Sequence, residues 1–507
     1  MSEGPERPSD HLAGASGSSA AVAVLSLAAA LGVLGDALLR ATPWGLNLTL
    51  WILAVLVGAG RLARSHRIGS IRGGRWTLGG VMLFAVAFVW HDSPTVQYLN
   101  VAGALVCLSL STQGARKGLL WAGDVTDYVT MTAVALARIC CESVRLCRDP
   151  QVPAAIGSWW RWGIVVARVS LTAIPPLALF AWLLTAADPV FGALVSRTLQ
   201  AVLPDDFWGH IFVAITCAWV AAGLLSVLLF DRNASPEPPA GSPLALGIGE
   251  VGTTLVVLDV LFLAFVLVQV RYFFGGAELV AIVPGLTYAE YARAGFFQLA
   301  TVTALVLPLL LIVDGLLEHQ AAVTAAHRRL FRVLAGVLVA LLFVVMGSAA
   351  QRLRLYVDAF GLTELRFYVA MFMAWLAVVF LWLLMTVLRG RRAWFAAGAL
   401  AAAFLTVVSL HAIDPDAFVL RANAARLRSG LGLDIEYATR LSADALPTLL
   451  EAVDALSPGA RCHVASRTLE RWGHLRERDW RTWNWSRERA RRAFLEHETL
   501  LRTMQCR

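Results

Sequence analysis

Lysine is almost missing from this chain: Lys117 is the only one, so arginine carries nearly all of the positive charge. Charge of either sign is scarce, at 15% of 507 residues, while 58% are hydrophobic. A soluble protein of this length needs far more polar surface, so a water-soluble globular fold is excluded. Several chemical signatures are also missing. No GxSxG turn, Gly-rich phosphate loop or Walker pattern stands where it would work. The ten histidines form no HExxH-type set. Cys140, Cys141 and Cys147 have neither a nearby histidine nor metal-type spacing, and read as reduced, packed thiols. No groove-like interleaving of aromatic and basic residues points to nucleic acid. The expectation is no catalytic residue, no cofactor, no metal ligand set and no nucleic-acid partner, which leans away from an enzyme.

What is present is long apolar runs. They predict an all-α, polytopic membrane protein with spans near 20–39, 45–62, 76–91, 95–112, 162–186, 208–230, 250–273, 295–317, 331–349, 366–388 and 393–412. That is about eleven helices, each near the ~20 residues a bilayer needs. The loop "RLARSHRIGSIRGGR" (61–75) is arginine-rich and predicts a cytoplasmic side, with the N-terminus inside. "GARKG" (114–118), "AHRRLFR" (326–332) and "RGRR" (389–392) then fall inside too. An odd span count leaves the tail outside. "QRLRLYVDAFGLTELR" (351–366) breaks the charge rule and reads as an interfacial helix or loop.

Five segments follow. Residues 1–18 form a Ser/Gly/Pro-rich disordered tail without signal-peptide features. Residues 19–112 hold the first membrane helices. Residues 113–161 form a cytoplasmic amphipathic segment, since Asp124, Asp127, Arg138, Glu142 and Arg145 interrupt its apolar run. Residues 162–412 are the main membrane domain. Residues 413–507 alternate arginine and acid in helical patches and predict a small helical extramembrane domain. The setting is a bacterial cytoplasmic membrane.

Two groups are candidates for function. Ionisable residues inside spans cost about 2.5–3.5 kcal/mol on insertion scales. Asp259 lies about 13 Å into its span and Arg168 about 9 Å into another from the same side, at ~1.5 Å per residue. Asp314 sits near the same end of a third. Arg168 and Asp259 form either a buried ion pair that fixes helix register or part of a relay. The second group is the outer-face stretch "GLTYAEYARAGFFQL". Thr287 and Glu290 make a capping box, Tyr288 and Tyr291 fit the headgroup level, and Arg293 snorkels outward. "GLT" recurs at 361–363, before another span.

Acids at the outer ends of spans are Asp36, Asp92, Asp188, Asp358 and Asp414. They would suit a cation site or the acid of a lipid-linked sugar transferase. Asp188-Pro189 and Asp414-Pro415 are equally the Asp N-cap and Pro N1 of an ordinary helix start.

The stretches "GLTYAEYARAGFFQL", "YVDAFGLTELRFYVAMFMAWLA", "HAIDPDAFVLRAN" and "DWRTWNWSRERA" resemble signatures of a bacterial family of polytopic membrane proteins. That family is known as a domain of unknown function, numbers four-one-five-three and four-one-seven-three. The resemblance covers roughly residue 157 to the C-terminus and implies no reaction, substrate or site residue. Three functions stay open: a non-enzymatic sensor, scaffold or assembly partner; a secondary transporter with a site near Asp259; and the sugar transferase. The expected partners are membrane lipids and an unidentified membrane protein. A transporter should show helices broken near mid-membrane, for which Pro175-Pro176 and Pro308 are the candidates.

The tail contains two cysteines, Cys462 and Cys506. Either they close a loop of about 45 residues, stabilising the tail by roughly 3–4 kcal/mol in the chain-entropy model, or Cys506 is a frayed free thiol. A membrane-impermeant thiol reagent on intact spheroplasts separates these. A bonded outside tail labels only after reduction; a free outside thiol labels at once. An inside tail labels only when the membrane is broken.

Overall fold

A computed structural model describes residues 8–65, 75–111, 124–148, 173, 176, 206–229, 248–274, 296–318, 324–473 and 479–506. The regular elements among them are all helical. Eleven lie in or along the apolar bundle: α1 (Pro8–Leu39), α2 (Leu46–Ser65), α3 (Arg75–Ala87), α4 (Pro94–Ser109), α5 (Val125–Arg148), α6 (Phe207–Leu229), α7 (Ile248–Phe274), α8 (Phe296–Glu318), α9 (Ala325–Phe360), α10 (Glu364–Met385) and α11 (Phe395–Ile413). Five further helices follow: α12 (Pro415–Arg428), α13 (Ile435–Arg440), α14 (Leu446–Ala452), α15 (Pro458–Trp472) and α16 (Trp485–Thr503).

Eight described helices are long and apolar enough to cross a membrane: α1, α2 and α6 to α11. This is fewer than the eleven expected. The expected span 162–186 lies almost wholly outside the described residues. At 76–91 and 95–112 the described helices are shorter than a full span. α3 has 13 residues and α4 has 16, about 20 and 24 Å of helix, against a hydrocarbon core of about 30 Å. Between them the chain leaves helical geometry after Ala87 and resumes it at Pro94.

Three apolar interfaces hold the bundle. α7 to α10 bury Leu338, Leu342, Phe380 and Leu383 in one core. α1, α2 and α6 bury Val24, Trp51 and Leu225 in another. Here Gly32 faces Ala218, and Gly35 faces Cys217, so small residues let the backbones approach. α3, α4 and α6 share a smaller core of Phe84, Cys107 and Val227 with α5. Helix α5 does not lie across the end of the bundle as an interfacial segment would. It runs alongside α6, where Ser143 Oγ donates to the Trp219 carbonyl at 2.8 Å. Its amphipathic face is buried in protein at Met131, Ala135, Ile139 and Leu146.

The stretch 351–366 is neither loop nor surface helix in its first part. It continues α9 to Phe360, then turns at Gly361, whose φ of +84° suits glycine. A Cβ there would meet Asn423 Oδ1 at 2.8 Å. Arg426 caps the free end of α9 by donating to the Val357 carbonyl at 2.7 Å and to that of Asp358. Pro308 lies within an unbroken α8; Pro175 lies outside the described residues.

Helices α12 to α16 pack around Leu420, Leu446, Val464 and Phe494, together with Phe367 of α10 and Leu410 of α11. They cover one end of the bundle, called here the capped end. Arg481 Nη1 donates to the Ala37 carbonyl at the end of α1 (2.9 Å), and Leu46 N donates to the Trp483 carbonyl (2.9 Å). Cys462 and Cys506 are bonded, with Cα atoms 4.9 Å apart, tying the last residues to α15.

Gly223 meets the α5 backbone closely: a Cβ there would lie 2.0 Å from the Ile139 carbonyl oxygen. Gly223→Ala is expected to lower stability by about 1–3 kcal/mol through overpacking. Gly336→Ala, where nothing lies within 4 Å, should be neutral or slightly stabilising. Thermal unfolding in detergent compares the two; equal effects would refute a tight α5–α6 contact.

Candidate functional site

The non-helical stretch between α3 and α4 reads "FVWHDS", residues 88–93. Pro94 sits at N1 of α4, with its φ already helical and no N–H to satisfy. The amides of 88–90 turn back onto the Ala85–Ala87 carbonyls, but the amides of Asp92 and Ser93 and the carbonyls of 88–91 have no such partner. Non-helical backbone at the end of a membrane bundle needs protein partners. The C-terminal helices supply them. Trp485 N donates to the Val89 carbonyl (2.7 Å) and Ser486 N to that of Trp90 (3.3 Å). Asn484 Nδ2 donates to the Phe88 and His91 carbonyls at 2.8 and 3.0 Å. The amides of Asp92 and Ser93 donate to Asp444 Oδ2 at 2.8 and 3.0 Å.

Asp444 lies in the 3-10 turn Ala443–Ala445 and its side chain is fully buried. Besides those two amides it accepts from His91 Nδ1 (2.8 Å), Ser442 Oγ (3.0 Å) and Ser486 Oγ. Burial pushes its acidity one way, and these donors, His91 foremost, more than reverse it: its pKa falls below the ordinary aspartate value. His91 is its counterpart. Nδ1 faces the Asp444 carboxylate and Nε2 faces the His411 carbonyl at 2.9 Å. Both partners are acceptors, so both ring nitrogens carry hydrogen and the ring is an imidazolium. Burial opposes that charge, but the bonds to Asp444 and His411 win and raise its pKa.

Three more acids surround the pair. Asp92 is bonded to Arg487 Nη1 at 2.7 Å; burial, then the Asp444 charge, still raise its pKa despite Arg487. Asp416 is fully buried and shares the Ser442 hydroxyl with Asp444. One hydroxyl has one hydrogen. Burial and the Glu364 charge lift the Asp416 pKa to about 7. The Ser442 amide also donates to Asp416 Oδ2, at 3.2 Å. Asp414 joins α11 to α12 at φ +58°, the one positive φ of a described non-glycine residue. It caps α12 weakly, accepting from Ala417 N at 3.4 Å, with Pro415 at N1. Its other neighbours are His91 Nδ1 at 4.0 Å and Arg489 at 3.9 Å. Burial, then the Asp444 charge, raise its pKa to about 6. His91, Asp414 and Asp444 offer three ligand atoms within 4.8 Å of one another.

Several exposed tryptophans sit around this end: Trp44, Trp90, Trp208, Trp480 and Trp485. Tryptophan favours the headgroup level, which puts the cluster near the membrane boundary.

The sequence candidates fare differently. Thr287, Tyr288, Glu290, Tyr291 and Arg293 lie outside the described residues, as do Arg168 and Asp188. Asp259 is buried in α7, and neither carboxylate oxygen has a hydrogen-bond partner among the described residues. Asp314 does not join it: Asp314 pairs with Arg392 at 3.3 Å, and Arg392 also bonds Asp124 at 3.1 Å, at the end opposite the cap. Asp36 pairs with His210 at 2.7 Å. Of the outer acids, Asp92 and Asp414 do converge, and Asp414 is also the helix cap. Sequence reasoning missed His91, Asp416, Asp444, Asn484 and Arg487. The one local signal was a His-Asp pair, "WHDSP", just past an apolar run. The partners lie hundreds of residues away.

A family model described as "Domain of unknown function (DUF4153)" matches residues 78–452. The match starts earlier and stops sooner than the stretches quoted above, and it includes His91, Asp92, Asp414, Asp416 and Asp444. One relative is the Mycobacterium tuberculosis (strain H37Rv) protein named "Putative permease Rv2963", 25% identical over 147 residues. That stretch is 28% of this chain and 35% of the relative, so the chain spans about a third of the length of the curated relative it matches. No solved structure matches the chain. The apolar helices and the family match make the chain an integral membrane protein.

Removing Asp444 leaves the His91 charge and two loop amides unpaired in a buried site. Asp444→Ala is expected to cost about 3–5 kcal/mol and to expose α12–α16 to limited proteolysis while α7–α10 stay protected. If the cleavage pattern matches that of the unsubstituted protein, Asp444 does not hold the cap.

Proposed function

The chain belongs to the DUF4153 family, and from that premise we propose that it is a non-enzymatic membrane scaffold. Its working surface is the helical layer α12–α16, held rigidly on the bundle for a membrane or extramembrane partner. The observation that carries this reading is the division of labour at the loop 88–93. Its polar groups are satisfied from Asp444, Asn484, Trp485 and Ser486. A layer fastened in this way is part of the membrane structure rather than a tethered appendage. Arg61 and Arg64 of α2, Arg328, Arg329 and Arg332 of α9 and the turn Arg389–Arg392 gather at the opposite end. By the positive-inside rule this supports a cytoplasmic open end and a cap outside, in a bacterial inner membrane.

A second reading rests on Asp259. A buried acid in a span, unpartnered among the described residues, suits a solute or proton path, and the mycobacterial relative is named a permease. The unbroken α8 weighs toward the scaffold.

A photo-crosslinking amino acid at exposed Trp480 or Leu495, in living cells, distinguishes the readings. The scaffold predicts one discrete crosslinked partner, lost in Asp444→Ala, and unchanged crosslinking in Asp259→Asn. Solute flux in proteoliposomes that Asp259→Asn abolishes would replace the scaffold with a permease.

A further inference from the structure

We propose that His91, Asp414 and Asp444 form a binding site for a divalent transition-metal ion at the junction of the bundle and the C-terminal helices. The site stands on its own geometry and does not require the scaffold reading.

Three separate elements bring the donors together: the α3–α4 loop, the α11–α12 junction and the 3-10 turn 443–445. His91 Nδ1 lies 2.8 Å from Asp444 Oδ1 and 4.0 Å from Asp414 Oδ1. Ligands about 2.0–2.2 Å from a tetrahedral metal stand roughly 3.3–3.6 Å apart. Both separations come into that range by shifts of under about 1 Å. The outer nitrogen of His91 already donates to the His411 carbonyl at 2.9 Å. That is the second bond which orients a metal-ligating histidine and fixes its tautomer.

Asp414 supplies a separate argument. Its carboxylate is 14% exposed and faces the pair, yet its nearest donors are at 3.4, 3.9 and 4.0 Å. Asp444 and Asp92 each have a close cation, and Asp416 has Ser442. Asp414 is the carboxylate of the four with no close partner. A metal ion between Nδ1 and the two carboxylates gives it a partner. Binding breaks the Nδ1–H bond, releases that proton to solvent and forms a metal–nitrogen bond. The Nε2–H bond to His411 is untouched.

The donor set selects the ion. One imidazole nitrogen with two carboxylates suits Zn2+ or Mn2+, whereas Mg2+ and Ca2+ prefer all-oxygen sites. Three protein ligands leave positions open for water.

The test uses the full chain in nanodiscs, stripped with chelator and titrated calorimetrically with Zn2+, Mn2+ or Mg2+. One saturable site is expected for Zn2+ or Mn2+, with proton release seen as a buffer-dependent heat, and none for Mg2+. Asp414→Asn keeps the His91–Asp444 pair and the N-cap oxygen, so the cap should stay folded, while metal affinity falls at least roughly tenfold. X-ray absorption of the bound Zn2+ should show one imidazole among oxygen ligands. No saturable site, or a site that Asp414→Asn leaves unchanged, overturns the proposal. Unchanged crosslinking by the stripped protein would leave the scaffold reading standing in either case.

Discussion

The Asp444 carboxylate is the point on which the capped end depends. It accepts from a histidine, two backbone amides and two serines, and those donors come from regions about 350 residues apart. A buried carboxylate is tolerated only when its desolvation is offset by such bonds. The requirement runs both ways. The amides of Asp92 and Ser93 and the carbonyls of 88–91 take their partners from the C-terminal helices, and those helices contain a buried charge whose close cation is His91. Each half completes the other.

This mutual need explains the shape of the membrane part. The loop between α3 and α4 is where the membrane part meets the cap. The apolar packing below is generic by comparison: small residues where α1 meets α6, and leucine, valine and phenylalanine where α7 to α10 meet. Those contacts hold helices side by side but specify little about the end of the bundle. Directional bonds at the cap do that, since a misplaced donor there leaves a charge unpaired in low dielectric. The opposite end is fastened more simply, by Arg392 between Asp124 and Asp314.

The acids at the cap also divide by environment. Asp444 is held ionised by five donors, while Asp414 and Asp416 are pushed toward the protonated form by burial and by neighbouring acids. The same residue type thus has different charge within one small volume. That uneven charge makes this end chemically distinct from the rest of a mostly apolar chain.

Local sequence was enough for the all-helical membrane class, the eight described helices long and apolar enough to cross a membrane, and the Asp-Pro start at Asp414. These follow from local properties: twenty apolar residues in a row need a helix in lipid, and Pro can begin one but not continue it. It also marked Asp92 and Asp414 as acids at span ends, and Cys462 with Cys506 as a possible pair. It did not reveal that the turn at 88–93 would be bound by the C-terminal helices, because hydropathy does not see long-range partners. That His91 meets Asp444 rather than an acid in its own loop, and that Cys506 lies beside α15, came from the folded chain alone. Such partnerships arise from how helices distant in sequence stack. A lone histidine after an apolar run has the same local pattern whether it is bare, paired or ligating. What sets its charge is the carboxylate that folding carries to it.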